Sequence, residues 1–94
     1  MHYNRVVLKT VRDSDWSADH IAGHGVTLDE VRQAVLEHPY WAVPGRDRTT
    51  LVYGRTYAGR YLLVVAFTEG DEAFIVTARD MTAAEKKTFR RKAR

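Results

Sequence analysis

The longest apolar run of the chain, Tyr61–Phe67 with the sequence YLLVVAF, limits its fold more than any other feature. The run has the length of a β-strand and is far shorter than the roughly 20 residues of a transmembrane helix. Turn residues flank it, Ala58-Gly59 on one side and Gly70-Asp71 on the other. Because a strand without polar alternation is covered on both faces, we expect Arg60–Glu69 to be the central strand of a sheet.

The segments around this run are typical of neighbouring strands. Thr49–Tyr57 and Ala73–Arg79 are rich in β-branched and aromatic residues, and Tyr40–Val43 is a shorter segment of the same kind. Residues 3–12 predict a first strand for the same reason. Within the last strand, a period of two predicts one face with Phe74, Val76 and Ala78 and another with Ile75, Thr77 and Arg79.

Two capping-box sequences predict helix N-termini. Thr27–Glu30 precedes an apolar stripe of helical period, so a helix begins at about residue 28 and ends before Pro39. Thr82–Glu85 begins a C-terminal helix in the same way. A shorter helix over residues 15–22 is indicated by N-cap side chains before it and by Gly23 after it.

The resulting order of elements, β-α-α-β-β-β-β-α, groups the strands consecutively. It predicts an α+β fold with a mainly antiparallel meander sheet, on which the N-terminal helices and the C-terminal helix pack. With 94 residues the chain has material for one hydrophobic core. We therefore expect residues 1–94 to form a single domain.

Composition excludes several kinds of protein. The chain has no cysteine, which excludes a disulfide, a thiol nucleophile and a thiolate metal site. Its N-terminus lacks the apolar core of a secretory signal, and no apolar run reaches 18 residues. These features predict a cytoplasmic protein that does not enter a membrane.

Positive charge is concentrated at the C-terminus. Residues 86–94 (KKTFRRKAR) hold six basic residues and no acidic one, although the net charge of the chain is only +3. Such a segment, in which Lys86 and Arg90 lie one helical turn apart, is typical of proteins that bind a phosphate backbone. The same pattern also fits a solvated helix end whose cations complement the helix dipole.

Three arginines are predicted to meet at one end of the sheet. Arg55 lies near the end of one strand, Arg60 begins the next, and Arg79 ends the last. Converging guanidiniums form a phosphate site, because each offers two N–H donors in a planar fork. The alternative is that all three are only strand-end charges.

Histidine and tyrosine side chains add candidates for chemistry and stacking. His24 lies between two glycines and is predicted to be an accessible acid or base, because imidazole titrates near neutral pH. His20 and His24 have the spacing of a zinc pair, but HIAGH lacks the glutamate of the metalloprotease motif, so no metal site is predicted. Tyr57 and Tyr61 flank a hairpin turn and are predicted to stack on bases, the alternative being a place in the core.

Three segments, HGVTLDEV (24–31), YGRTYAGRYLLVV (53–65) and IVTARDMTAAEKKTF (75–89), resemble in this order the BrnT family of toxins from bacterial type II toxin–antitoxin modules. The resemblance implies a fold similar to RelE toxins and a ribonuclease activity that inhibits translation. It also implies a cognate antitoxin, with which the toxin forms a hetero-oligomer that binds operator DNA. By motif position, the implied catalytic residues are His24, Arg60, Arg79 and Glu85.

Cleavage of RNA by its own 2′-hydroxyl needs a base, an acid and stabilisation of a phosphorane, but no metal or cofactor. In this hypothesis His24 transfers a proton, and Arg60 and Arg79 stabilise the charge. The predicted substrate-binding residues are Arg55, Tyr57, Tyr61, Lys86 and Arg90. Two alternatives stay open, a nucleic-acid or partner-binding module without catalysis and a metal-assisted hydrolase. RNA cleavage in excess EDTA distinguishes the metal-independent ribonuclease from both.

Overall fold

A five-stranded sheet carries three helices in the computed structural model, which describes residues 8–93. The strands are β1 (Thr10–Arg12), β2 (Trp41–Pro44), β3 (Thr50–Arg55), β4 (Tyr61–Glu69) and β5 (Glu72–Asp80). The helices are α1 (Asp15–Ala22), α2 (Leu28–Leu36) and α3 (Ala83–Lys92), and a short 3₁₀ helix, Arg46–Arg48, lies between β2 and β3. The predicted α+β class is confirmed.

The sheet is mixed, with the strand order β1-β5-β4-β3-β2. Strands β2 to β5 pair antiparallel in succession, whereas β1 pairs parallel to β5, with Val11 opposite Ala73. The first strand is shorter than predicted within the described residues, since Leu8 and Lys9 precede it without strand structure. Residues 3–7 of that prediction lie outside the part of the chain that the structure describes.

Each of the three α-helices begins at a reciprocal side-chain cap. The hydroxyls of the three N-cap residues accept the backbone N–H three positions later, and the side chains at those positions accept the N–H of the cap. These pairs are Ser14 with Ser17, Thr27 with Glu30, and Thr82 with Glu85. Both capping boxes predicted from the sequence are therefore confirmed, and each satisfies two backbone donors that the helix itself leaves unpaired.

Strand β4 is covered on both faces, as its apolar run predicts. On one face Leu62, Val64 and Ala66 belong to the main core, which includes the buried apolar residues of α1 and α2. On the other face Leu63 packs in a smaller cluster with Phe89 of α3. The sheet therefore has an α1/α2 face and an α3 face.

A β-bulge in β5 changes the predicted alternation of its side chains. Val65 pairs with Thr77 but Ala66 pairs with Ile75, so Val76 is the extra residue. As a result Ile75 and Ala78 both lie in the main core, and the prediction that they occupy opposite faces is wrong. The extra residue shifts the period of two by one position, which the sequence of a single strand does not reveal.

Candidate functional site

The strand register brings the predicted arginines to one end of the sheet. Arg55 at the end of β3 lies opposite Tyr61 at the start of β4. Asp80 and Arg79, at the end of β5, lie opposite the next two residues of β4. The guanidiniums at this end have different partners, however, so Arg55, Arg60 and Arg79 do not form one shared anion site.

Arg60, directly before β4, is the centre of an internal network on the α1/α2 face. Its Nε and Nη2 donate to the two carboxylate oxygens of Asp80 at 2.7 and 3.0 Å. Its Nη1 donates to the carbonyl of Gly25 at 2.7 Å and to the carboxylate of Glu30 at 3.2 and 3.3 Å, and Nη2 also lies 3.4 Å from the carbonyl of His24. We call Arg60, Asp80, Glu30 and these two carbonyls the Arg60 network.

The Arg60 network leaves little donor capacity for an external ligand. All three guanidinium nitrogens already donate to protein oxygens. The hydrogen bonds between Arg60 and Asp80 are the largest cause of both pKa shifts: they raise the pKa of Arg60 and lower the pKa of Asp80. The pKa of Glu30 is lowered chiefly by the backbone N–H of Thr27 and further by Arg60. A phosphate at Arg60 must therefore displace a carboxylate, which favours a structural role for this arginine.

His24 is connected to the network through its backbone only. It lies in the loop between α1 and α2, where its side chain is exposed and its carbonyl faces Arg60. The following residue, Gly25, has a φ of +69°, in the left-handed region that glycine adopts without steric cost. Arg60 thus fixes the loop that carries the imidazole, and proton transfer by His24 stays a prediction.

Arg79 and Glu85 form a second ion pair, on the α3 face. Arg79 Nη1 and Nη2 donate to Glu85 Oε1 and Oε2 at 2.8 and 3.0 Å, and Nη1 also donates to the carbonyl of Asp80 at 2.9 Å. Glu85 Oε1 accepts the N–H of Thr82 as part of the helix cap. The hydrogen bonds from Arg79 are the largest cause of the lowered pKa of Glu85, and the cap hydrogen bond from Thr82 lowers it further. This carboxyl is therefore held ionised and anchored at the start of α3.

A different arrangement surrounds Tyr61, whose ring is half-buried under α3. The charged ends of three cations lie over the ring, Arg55 at 5.9 Å, Lys86 at 5.6 Å and Arg90 at 5.3 Å from its centroid. The ring of Phe89 meets it edge-on at 5.7 Å. We call these five residues the Tyr61 cluster.

The Tyr61 cluster holds three positive charges without a direct ion-pair partner in residues 8–93. Among the described residues, no carboxylate forms an ion pair with Arg55, Lys86 or Arg90. Hydrogen bonding by Arg55, and then by Arg90, lowers the pKa of the Tyr61 phenol. Three cations of like sign held around one phenol form an anion-binding surface, because an anion relieves their mutual repulsion.

Tyr57 is not part of this cluster. It is 74% exposed in the turn between β3 and β4, and its backbone N–H donates to the side chain of Gln33 on α2 at 2.8 Å. A hydrogen bond with Glu37 raises the pKa of its phenol. The structure thus brings together Arg55, Tyr61, Lys86 and Arg90 of the predicted substrate-binding residues, and leaves Tyr57 beside α2.

A second feature of the α3 face has no counterpart in the sequence analysis. Trp41 of β2 and Tyr53 of β3 are opposite each other in the register, and their rings stack at 4.9 Å with an angle of 27°. With Ala84, Glu85 and Thr88 of α3 they line an open cleft of about 180 Å³. Only the pairing of β2 with β3, which is a tertiary property, creates this stack.

Within residues 8–93, no three His, Asp or Glu side chains are grouped closely enough to hold a metal ion. No helix of this part of the chain is both long enough and apolar enough to cross a membrane. No family model matches the chain, and no curated protein or solved structure is significantly similar to it.

Proposed function

We propose that this chain is a ribonuclease toxin of the BrnT kind, with a RelE-like arrangement of sheet and helices, which binds single-stranded RNA at the Tyr61 cluster and cleaves it without a metal. The Tyr61 cluster is the observation that carries the proposal. Arg55, Lys86 and Arg90 have no ion-pair partner among the described residues and surround one phenol. Guanidinium and ammonium groups in this arrangement suit a phosphodiester, and an aromatic ring beside them suits a base or ribose.

The chemistry that these residues support is transfer of the phosphate to the neighbouring 2′-oxygen. The 2′-hydroxyl loses a proton and attacks phosphorus, the P–O5′ bond breaks, and the 5′-oxygen takes up a proton, so that the products end in a 2′,3′-cyclic phosphate and a 5′-hydroxyl. Negative charge on the phosphorane rises in the transition state, where fixed cations stabilise it most. Arg55, Lys86 and Arg90 would supply that stabilisation. Tyr61, with a lowered pKa, is the candidate for one proton transfer on the α3 face. The second transfer is assigned to His24 by the family resemblance alone, because its loop contacts the Arg60 network on the other face of the sheet.

Arg60 and Arg79 take indirect roles in this proposal. Arg60 holds the loop that carries His24, and Arg79 holds Glu85 at the start of the helix that carries Lys86 and Arg90. Both would act as positioning residues, since all three guanidinium nitrogens of Arg60 and both Nη atoms of Arg79 already donate to protein oxygens.

The proposed partner is a cognate antitoxin with an acidic surface. It would neutralise the toxin by covering α3 and the Tyr61 cluster, because the same cations that attract RNA attract carboxylates. Such a contact would compete directly with RNA.

A nucleic-acid-binding module without catalysis is the second candidate function. The observation that favours it is the ion pairing of Arg60 with Asp80 and Glu30 and of Arg79 with Glu85, which leaves fewer free cations for transition-state stabilisation than the sequence predicts. Both functions require RNA binding at the Tyr61 cluster. Only the first requires strand cleavage.

The two functions are separated by incubating the purified protein with single-stranded RNA in excess EDTA, with and without ribosomes, and identifying the new termini. We expect 2′,3′-cyclic phosphate or 3′-phosphate ends together with 5′-hydroxyl ends. RNA that is bound but stays intact under both conditions would contradict the ribonuclease proposal and leave the binding module. RNA that is cleaved only when metal is present would contradict the metal-independent chemistry.

A further inference from the structure

We propose that the cleft between α3 and strands β2 and β3 is a nucleobase subsite that prefers guanine, adjacent to the Tyr61 cluster. The inference rests on the proposed function insofar as that function makes RNA the ligand. It adds a specificity-determining site, formed by Trp41, Tyr53, Glu85 and Thr88, to the phosphate-binding surface.

The walls of the cleft suit a flat, aromatic ligand. Tyr53 is buried and stacks on Trp41, which is half-buried and lines the open cleft of about 180 Å³. The pair therefore presents a rigid aromatic platform rather than a single mobile ring. Stacking of a base on such a ring changes affinity by roughly tenfold or more and is tolerant of base identity. The platform alone would accept any of the four bases.

The polar groups of the cleft are hydrogen-bond acceptors. Glu85 is held ionised by Arg79, and its Oε2 accepts only from Arg79 Nη2 among the described residues. Thr88 also lines the cleft, and its hydroxyl donates its one proton to the carbonyl of Ala84 at 3.2 Å, so towards a ligand its oxygen can only accept. Guanine carries two neighbouring donor groups on its Watson–Crick edge, N1–H and the 2-amino group, whereas uracil carries one. An acceptor-lined cleft therefore favours guanine over uracil.

The cleft and the Tyr61 cluster are close enough for one nucleotide to reach both. Tyr53 and Arg55 lie two positions apart on the α3 face of β3, a spacing of roughly 6.5–7 Å along a strand. On α3, Glu85 and Thr88 line the cleft, whereas Lys86 and Arg90 contact Tyr61. The buried Phe89 lies between the two sets. A base in the cleft would thus place its phosphate at the Tyr61 cluster.

Fluorescence of Trp41 tests the subsite directly. The other tryptophan, Trp16, is 57% exposed on α1, and Trp16→Phe leaves Trp41 as the single reporter. This variant would be titrated with GMP, UMP and inorganic phosphate. We expect GMP to quench Trp41 with an affinity at least about fivefold higher than that of UMP, which corresponds to one additional hydrogen bond. Inorganic phosphate should leave the fluorescence unchanged.

Thr88 offers a matched pair of variants. Thr88→Val keeps the shape and removes the acceptor, so the affinity for GMP should fall about fivefold while that for UMP changes less than about twofold. Thr88→Ser keeps the hydroxyl oxygen and should keep the preference for GMP. Circular dichroism and the urea midpoint confirm that both variants are folded.

Failure of the subsite and failure of the proposed function give different results. Equal quenching by GMP and UMP, or no quenching by either, overturns the guanine subsite even where RNA is cleaved in EDTA. Selective quenching by GMP supports the subsite even where RNA stays intact, in which case only the ribonuclease proposal fails. A preference for GMP that persists unchanged in Thr88→Val would contradict the acceptor argument.

Discussion

Arg60 and Arg55 lie on the two sides of one hairpin turn, yet the fold uses them in opposite ways. Arg60 is enclosed by the carboxylates of Asp80 and Glu30 and by two carbonyls. Arg55 lies over the ring of Tyr61 together with the cations of Lys86 and Arg90. The position of an arginine at a strand end thus does not determine its role. What matters is whether the fold brings a carboxylate to it, because a paired guanidinium stabilises the fold and an unpaired one is available to a ligand.

The largest effect is expected from removing the three cations of the Tyr61 cluster together. The triple variant Arg55→Gln/Lys86→Gln/Arg90→Gln should lower the rate of RNA cleavage about 100-fold or more. In other enzymes, removal of a single oxyanion-hole donor already lowers kcat by about 10²–10³-fold. Cleavage rates in EDTA measure it. The control Lys87→Gln/Arg91→Gln/Lys92→Gln removes the same charge from exposed positions of α3. Equal losses in both variants would show that total charge, and not the Tyr61 cluster, drives the reaction.

Arg60→Gln should act mainly on stability. It leaves Asp80 and Glu30 without their shared cation and frees the carbonyls of His24 and Gly25, so the free energy of unfolding should fall by about 1–2 kcal/mol. Urea unfolding followed by circular dichroism measures this change. Arg55→Gln is the matched control, and its effect should stay below about 0.5 kcal/mol. A larger loss for Arg55→Gln would reverse the comparison.

The salt dependence of RNA binding sharpens the same contrast within α3. Each phosphate contact with single-stranded RNA contributes roughly −0.7 to the log–log slope of affinity against salt. Lys86→Gln/Arg90→Gln should therefore flatten the slope by roughly 1.4. Lys87→Gln/Arg91→Gln should change it much less, because these side chains lie away from Tyr61. Identical slopes for the two double variants would indicate a solvated helix end without a defined binding surface.

The smallest effect is expected in the acid range. The folded-state pKa values of Glu30, Asp80 and Glu85 are lowered from 4.5, 3.8 and 4.5, so each contributes stability that is present above those values and is lost as pH falls below them. The urea midpoint should therefore decrease below about pH 4.5. Arg60→Gln should weaken this decrease but not abolish it, since Glu85 is paired with Arg79. An unchanged acid slope in the variant would contradict a coupled Arg60 network.

Local signals made much of the fold predictable. The YLLVVAF run identified the central strand, and the Thr27 and Thr82 capping boxes located the starts of α2 and α3. In each case the information lies within about ten residues of chain. The parallel pairing of β1 and the bulge at Val76 were not predicted, because both depend on the register between strands that are distant in sequence.

The candidate site was less predictable for the same physical reason. Residue types identified Arg55, Tyr61, Lys86 and Arg90 as binding candidates. Arg55 and Tyr61 share one hairpin, but they meet the two α3 residues only through long-range contacts that folding creates. Glu30 could be read from the sequence as a helix cap but not as a partner of Arg60, since the two are 30 residues apart. The stack of Trp41 on Tyr53 depends in the same way on a register between two strands.

The parallel edge strand has a consequence for the order in which the molecule assembles. Thr10 pairs with Glu72, 62 positions along the chain, whereas Arg55 pairs with Tyr61, only six away. Loop closure for the longer pairing costs about 2 kcal/mol more entropy, so the hairpins of β2 to β5 should form before β1 docks. The folding transition state would then contain the hairpin that carries Arg55 and Tyr61, together with the Trp41–Tyr53 stack, while the edge of β5 is still open. We expect a φ-value near zero for Val11→Ala and a substantially higher one for Val64→Ala, and a high value at Val11 would contradict this order.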